Sequence, residues 1–260
     1  MNSSTSKPYN ALKKGFISTT GLLVVLILWN SLSKSYHSLI LPSPQETFGA
    51  LEQLWQSGQL GTNTLITFRR TMVGYVAALA CGLAAALLLK ARGFLQSLLR
   101  PVITVIQIIP PVIWVVLAVI WFGIADDLTP IFLIFIVTFP VVFLTIFTGL
   151  ESVDARLVEM ASFYRCSQAD IVRAIYVPTL IPHFVSAVSL GLSFAWKSTI
   201  FAEFIGSSSG IGFAISLANA NLETDKLFAW SIVLILIMLV FEYGILAFVN
   251  QRVTRWKQHG

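Results

Sequence analysis

The 260-residue chain is 56% hydrophobic and only 11% charged, with 17 Lys+Arg against 12 Asp+Glu, and its mean hydropathy is +0.81. A soluble domain carries about 25% charged residues, so this composition excludes a soluble enzyme, a disordered chain and a small secreted scaffold. The +5 net charge fits basic residues retained on one side of a membrane better than a nucleic-acid partner.

A spanning helix needs about 20 mainly apolar residues. After a polar segment, 1–15, the first such run is 16–33, a first transmembrane helix. Lys13 and Lys14 precede it as they would a signal peptide, but no Ala-x-Ala site follows, so a retained span is expected. An extracytoplasmic loop, 34–63, contains a turn at Pro42 and Pro44. An amphipathic pattern of Phe48, Leu51, Leu54 and Trp55 follows and reads as a short interfacial helix.

Five further spans form a core over 64–251. The second, 72–89, is rich in Ala and Gly, as suits close helix packing in lipid. The third begins near Val102 and is interrupted by Pro110-Pro111, which removes two backbone donors and breaks or kinks the helix. The fourth, 128–150, carries Pro140 inside it. The fifth, 180–205, carries Lys197 and Glu203, and the sixth, 228–249, carries Glu242. The tail 252–260 is basic. The reading is therefore an all-α integral membrane protein with about six transmembrane helices.

Lys7, Lys13, Lys14, Lys90, Arg92, Arg100, Arg156, Arg165, Arg173, Arg252, Arg255 and Lys257 fall on one side, 12 of the 17 basic residues. That side is expected to be cytoplasmic, with both termini on it. Arg69 and Arg70 fall at the outer end of span two.

The longest cytoplasmic segment, about 152–178, reads as two short helices joined by a turn and ending at Pro178. Its apolar positions, including Leu157, Val158, Ala161, Phe163 and Tyr164, have no lipid to enter, which suggests docking onto a partner. Glu159-Met160-Ala161, Arg165 after three intervening residues, and then Ile175 and Val177-Pro178 reproduce the spacing of a loop motif: Glu-Ala-Ala, three residues, Gly, nine residues, Ile, one residue, Leu-Pro. On that spacing the segment resembles the coupling loop of permease subunits of bacterial ATP-binding-cassette importers. The departures are Met160, Val177 and Arg165. A glycine at the last position commonly supplies a positive φ, so Arg165 must strain the turn or use a different one.

Leu41-Pro42-Ser43-Pro44, Trp121-Phe122-Gly123-Ile124, Phe139-Pro140, Ala202-Glu203 and Gly210-Ile211-Gly212 extend the resemblance to the nitrate/sulfonate/taurine branch. The resemblance implies a type I importer permease fold with a cytoplasmic coupling helix, in a bacterial cytoplasmic membrane. The partners it implies are a second permease subunit, identical or a close paralogue, two cytoplasmic ATPase subunits and an extracytoplasmic binding protein. Glu159, Ala161, Arg165, Ile175 and Pro178 would couple to the ATPases. ATP and Mg would sit on those subunits, so this chain would bind no cofactor and catalyse nothing.

Residue chemistry agrees that the chain carries no engine. Lys197-Ser198-Thr199 resembles the tail of a phosphate-binding loop, but Trp196 stands where a glycine is required. His37, His183 and His259 have no Cys or carboxylate at ligand spacing, so no metal site is expected. Asp126-Asp127 reads as a solvated loop end. The turn at Gly206, Gly210 and Gly212 is either an element near the translocation path or a plain connector.

A charge at mid-bilayer costs at least about 2.5–3.5 kcal/mol, so Lys197, Glu203 and Glu242 need an explanation. With Trp196, Lys197 and Glu203 are candidates for the substrate path, where Lys197 would attract an anion. Alternatively, Lys197 forms an ion pair with Glu203 or Glu242. The six-residue separation of Lys197 and Glu203 turns their side chains about 120° apart on a helix. The resemblance suggests a small anionic substrate such as a sulfonate or nitrate. Similar permeases for thiamine-precursor pyrimidines or other neutral or aromatic solutes are a second reading, and a stand-alone ion-coupled secondary transporter is a third.

Overall fold

A computed structural model describes residues 20–21, 23–124, 127–241 and 244. The N-terminal segment, the start of the first predicted span, Asp126, Glu242, His259 and the tail 252–260 lie outside the described residues. Among those described, every regular element is helical.

One compact unit comprises the chain up to Leu60 together with Leu217–Ile232. It holds α1 (Leu23–Ser33) and α2 (Pro44–Gln56), which is the amphipathic helix read from the sequence. Ser43 caps α2 through a reciprocal box. Its hydroxyl accepts from the Glu46 amide, and the Glu46 carboxylate accepts from the Ser43 amide. Thr47, Ala50 and Leu54 are buried while Phe48 and Trp55 stay exposed, so the apolar pattern is split between the two faces. Trp29 stacks on Phe228 with ring centroids 5.9 Å apart, and its indole N–H donates to the Pro42 carbonyl at 3.0 Å.

The second unit, Gly61–Ser216 with Val233 onward, contains most of α3 (Gln59–Ala91), then α4 (Gly93–Ile108), α5 (Pro111–Phe122), α6 (Leu128–Glu151), α7 (Ala155–Phe163), α8 (Gln168–Ile171) and α9 (Val177–Gly206). It also includes the start of α10 (Ile211–Ala220) and the end of α11 (Thr224–Leu239). By length and apolarity, α3, α6 and the stretch Gln168–Gly206 can each cross a membrane. The pair α4 and α5, bent by 96°, could form a fourth, broken span. Of the six spans expected, the first and the sixth run into residues outside the described set.

The break between α4 and α5 falls at Pro110-Pro111. Pro110 is extended (φ −57°, ψ 140°), and Pro111 opens α5 at its first turn, where a missing N–H costs nothing.

α6 and α9 form the principal helix pair, and small residues set the spacing. A Cβ at Gly74 would come within 2.7 Å of Ile134, one at Gly82 within 2.8 Å of Val142, and one at Gly149 within 2.6 Å of His183. α3 and α9 therefore approach α6 at distances only glycine permits. Phe135, Phe139, Phe143 and Phe147 stack in sequence along α6, 5.4–6.4 Å between centroids. Arg100 of α4 lies over Phe147, 5.2 Å from the centroid, and its guanidinium pairs with Glu151 at 2.9 Å.

Two helix boundaries differ from the sequence reading. α3 begins at Gln59, 13 residues before the predicted start of span two, because the polar residues of its first turns are satisfied within the fold. The second helix expected in the 152–178 loop does not end at Pro178. It runs into α9 as a continuous 39-residue helix, Gln168–Gly206. A π-helical turn, Val172–Tyr176, lies immediately before the proline, with the Val177 amide donating to the Val172 carbonyl. Widening the ladder by one residue there accommodates the N–H that Pro178 lacks.

Candidate functional site

The structure gathers the sequence-predicted residues into two regions at opposite ends of the Gln168–Gly206 helix. The first is the cytoplasmic loop expected over about 152–178. Asp154 caps α7 by accepting from the Arg156 amide at 2.9 Å, and Ser167 caps α8 by accepting from the Asp170 amide at 3.2 Å. Between them the chain turns at Arg165, which has φ 56°. The Cys166 amide donates to the Ala161 carbonyl and the Arg165 amide to the Ser162 carbonyl, each at 3.0 Å. This pair of bonds is a Schellman C-cap, which places a left-handed residue at the position Arg165 occupies. Arg165 thus takes the strained alternative and keeps the turn a glycine would make, at about 1–2 kcal/mol.

No residue of α7 is buried. Phe163 is 84% exposed, and Leu157, Met160 and Tyr164 are also open. Glu159, Arg165 and Pro178 are exposed, while Ala161 and Ile175 are half-buried. The loop is well capped internally, and Ile171 is buried, yet Leu157, Met160, Phe163 and Tyr164 stay open to solvent. Such a patch marks an interaction surface.

The second region lies at the other end of α9. Arg70 of α3 is 2% exposed and Glu203 of α9 is 0% exposed. The Arg70 Nη1 donates to Glu203 Oε1 at 3.0 Å and to the Ser209 carbonyl at 2.7 Å. Its Nη2 donates to the Ser209 hydroxyl at 2.8 Å and its Nε to Asp127 at 2.7 Å. Arg69 also pairs with Asp127. The other Glu203 oxygen accepts from the Thr67 hydroxyl at 2.8 Å and from the Gly212 amide at 3.0 Å. The Thr67 hydroxyl in turn accepts from the Ile211 amide at 2.9 Å.

The turn 207–212 is therefore not a plain connector. Gly210 has φ 99°, its amide donates to the Asn63 side-chain oxygen at 3.0 Å, and any Cβ placed there would overlap the Glu203 carboxylate. Only glycine meets both demands. One turn deeper, the hydroxyls of Thr71 and Thr199 lie 2.9 Å apart.

The three residues weighed for the substrate path separate. Lys197 is exposed on α9, between the exposed Phe194 and Phe201. Glu203 is enclosed by its donors. Trp196, 2% exposed, packs with Tyr75, Ile134, Leu192 and Ala195, its ring 4.8 Å from that of Phe241. The expected 120° offset between Lys197 and Glu203 is realised as opposite environments. Glu203 pairs with Arg70 rather than with Lys197.

Arg70, Asp127 and Ser209 were missed as site residues. Arg70 was read at a helix end, and Asp127 was read as solvated. The available signal was the buried charge of Glu203 itself, which demands a partner that only Arg69, Arg70 or Lys197 could supply on the apolar side of the loops.

With this geometry in place, the chain can be set against known proteins. Residues 78–255 match the family described as binding-protein-dependent transport system inner membrane component. The taurine transport system permease protein TauC of Escherichia coli (strain K12) is 27% identical over 246 residues, covering 92% of this chain and 88% of that protein. A Bacillus subtilis (strain 168) protein named as an aliphatic sulfonates transport permease, SsuC, is 27% identical over 212 residues, covering 81% of this chain and 76% of its own length. Among solved structures, an inward-facing MetNI methionine transporter chain superposes with a TM-score of 0.58 at 18% identity, covering 74% of this chain and 92% of that one. That likeness bears on the fold alone, the fold of an ABC importer permease. The chain belongs to the family of binding-protein-dependent transport system inner membrane components, and it is a permease subunit of an ATP-driven importer.

Proposed function

We propose that the chain forms the translocation path for a small sulfonate or a related anion, and that Lys197 is the residue in that path which favours negative charge. The observation that carries this reading is the setting of Lys197. It sits mid-helix on an otherwise apolar, aromatic face of α9, and no carboxylate pairs with it among the described residues. A lysine facing hydrocarbon would cost at least about 2.5–3.5 kcal/mol, so that face requires water, substrate or another protein surface. The sulfonate and taurine names of the relatives support an anion as the solute. Trp196 and Glu203 shape the path from behind rather than lining it.

The remaining parts follow the same reading. Two copies of this permease, or this chain and a paralogue, enclose the path. Two cytoplasmic ATPase subunits bind ATP and Mg and dock on α7 and α8, where Glu159, Ala161, Arg165, Ile175 and Pro178 lie. The exposed apolar side chains of α7 support that contact. An extracytoplasmic binding protein delivers the solute, and both termini are cytoplasmic. The chain performs no chemistry of its own.

The test is uptake of labelled taurine or another alkanesulfonate into proteoliposomes holding the assembled importer and its binding protein. A charge-assisted contact is worth about 1.5–3 kcal/mol, so Lys197→Gln should lower uptake roughly 10- to 100-fold, whereas Lys197→Arg should retain most of it. Equal uptake by Lys197→Gln and the unaltered importer would overturn the assignment of Lys197. Absence of sulfonate uptake by the unaltered importer would overturn the substrate.

A further inference from the structure

The cluster around Arg70 has a geometry that bears on how the bundle moves. All three guanidinium nitrogens of Arg70 are bonded, to Asp127 just before α6, to Glu203 on α9, and to the carbonyl and hydroxyl of Ser209 in the turn. Glu203 accepts from three donors and is sealed from solvent. The turn is seated on α9 so tightly that a Cβ at Gly210 would overlap the Glu203 carboxylate and one at Gly212 the Ile200 carbonyl. The Thr71–Thr199 contact extends the same union one helical turn deeper.

A buried polar network with every member satisfied rigidifies what it joins, and separating its charges without water is prohibitive. By contrast, the opposite face of α9, with Phe194, Lys197 and Phe201, is bonded to nothing in the described chain.

We infer that Arg70 is the positioning residue of a permanent clamp. Through it the first half of α3, the start of α6, the end of α9 and the turn 207–212 travel as one rigid body through the transport cycle. The seal at this end then opens along the exposed face of α9, not between α3 and α9. The alternative is a gate in which the Arg70–Glu203 pair parts on every turnover. The inference rests on the chain's role in transport and is independent of which solute is carried.

The two are distinguished by a measurement that needs no substrate. With Cys81 and Cys166 replaced by serine in the assembled importer, spin labels are attached at Leu65→Cys and Ser208→Cys, two exposed positions flanking the clamp. Their distance distribution is then recorded in the nucleotide-free and the ATP–vanadate-trapped complex. A permanent clamp gives one narrow distribution that is the same in both states, and a shift between states would overturn it. Adding Arg70→Lys keeps the charge but removes the planar fork, and should broaden the distribution. An equally narrow distribution in that variant would show that Arg70 does not position the clamp.

In a second arm, Thr71→Cys and Thr199→Cys are oxidised to a disulfide in the same cysteine-free background. The clamp predicts ready cross-linking and no loss of ATP hydrolysis. Failure to cross-link, or hydrolysis lost on oxidation and restored by reductant, would refute it.

Discussion

Replacing Glu203 by glutamine preserves shape and removes charge, and the structure makes this change costly for a reason shape does not reveal. Both carboxylate oxygens accept: one from Arg70, the other from the Thr67 hydroxyl and the Gly212 amide. A glutamine has one acceptor oxygen and one NH2 donor. In either flip its NH2 therefore faces a donor, Arg70 in one case and the Gly212 amide in the other. The Thr67 hydroxyl can rotate to relieve part of the conflict, but the backbone amide and the guanidinium cannot. Arg70, 2% exposed, keeps Asp127 as its one remaining charged partner. Breaking one side of a buried pair costs about 3–5 kcal/mol. For a chain of this size about 1 kcal/mol corresponds to roughly 2–4 °C in melting temperature, so the expected drop is on the order of 6–20 °C. Thermal unfolding followed by size-exclusion chromatography in detergent or nanodiscs measures it. A Glu203→Gln protein melting with the unaltered one would refute the claim that this network holds the end of the bundle together.

Three further outcomes follow from the geometry. At Arg165, whose φ is 56°, Arg165→Gly should leave the turn at least as well protected in hydrogen exchange. Arg165→Val places a β-branched residue in the left-handed region and should destabilise it by about 1–2 kcal/mol; the reverse order would exclude the Schellman turn. Gly210→Ala should sharply reduce the yield of folded protein, since the new Cβ overlaps the Glu203 carboxylate, whereas Gly61→Ala meets nothing within 4 Å and should melt unchanged. Glu159→Lys, at an exposed position of α7, should leave the fold and melting temperature unaltered while uncoupling ATP hydrolysis from uptake, and normal coupled uptake in that variant would count against ATPase docking at this helix.

Local patterns carried much of the reading because lipid and backbone impose them residue by residue. Apolar run length identified α6 almost to the residue, 128–150 against Leu128–Glu151. Pro110-Pro111 announced the break that the structure draws as a 96° bend, and the turn at Pro42 and Pro44 marked the start of α2. The spacing of Glu159, Ala161, Arg165, Ile175 and Pro178 marked a helix–turn–helix, since one capped helix, one left-handed turn and the next helix occupy a set number of residues. The pattern was silent on whether an arginine would bear the positive φ, and the fold answered that it does.

What the sequence by itself determined is thus the membrane class, the rough positions of the helical runs, the helix–turn–helix of 152–178 and the charges that needed an explanation. Only the tertiary structure decided which partner each charge found. Hydropathy averages along the chain, so it ended span two at Met72 and left Arg70 outside. Packing brings residues 67, 70, 127, 203, 209 and 212 to one point, where a buried carboxylate is affordable because α3 and the 207–212 turn supply its donors and its counter-charge. Pro178 was read as a stop because an α-helical ladder cannot carry it, and the π-helical turn ahead of it, which no composition signals, let the helix continue.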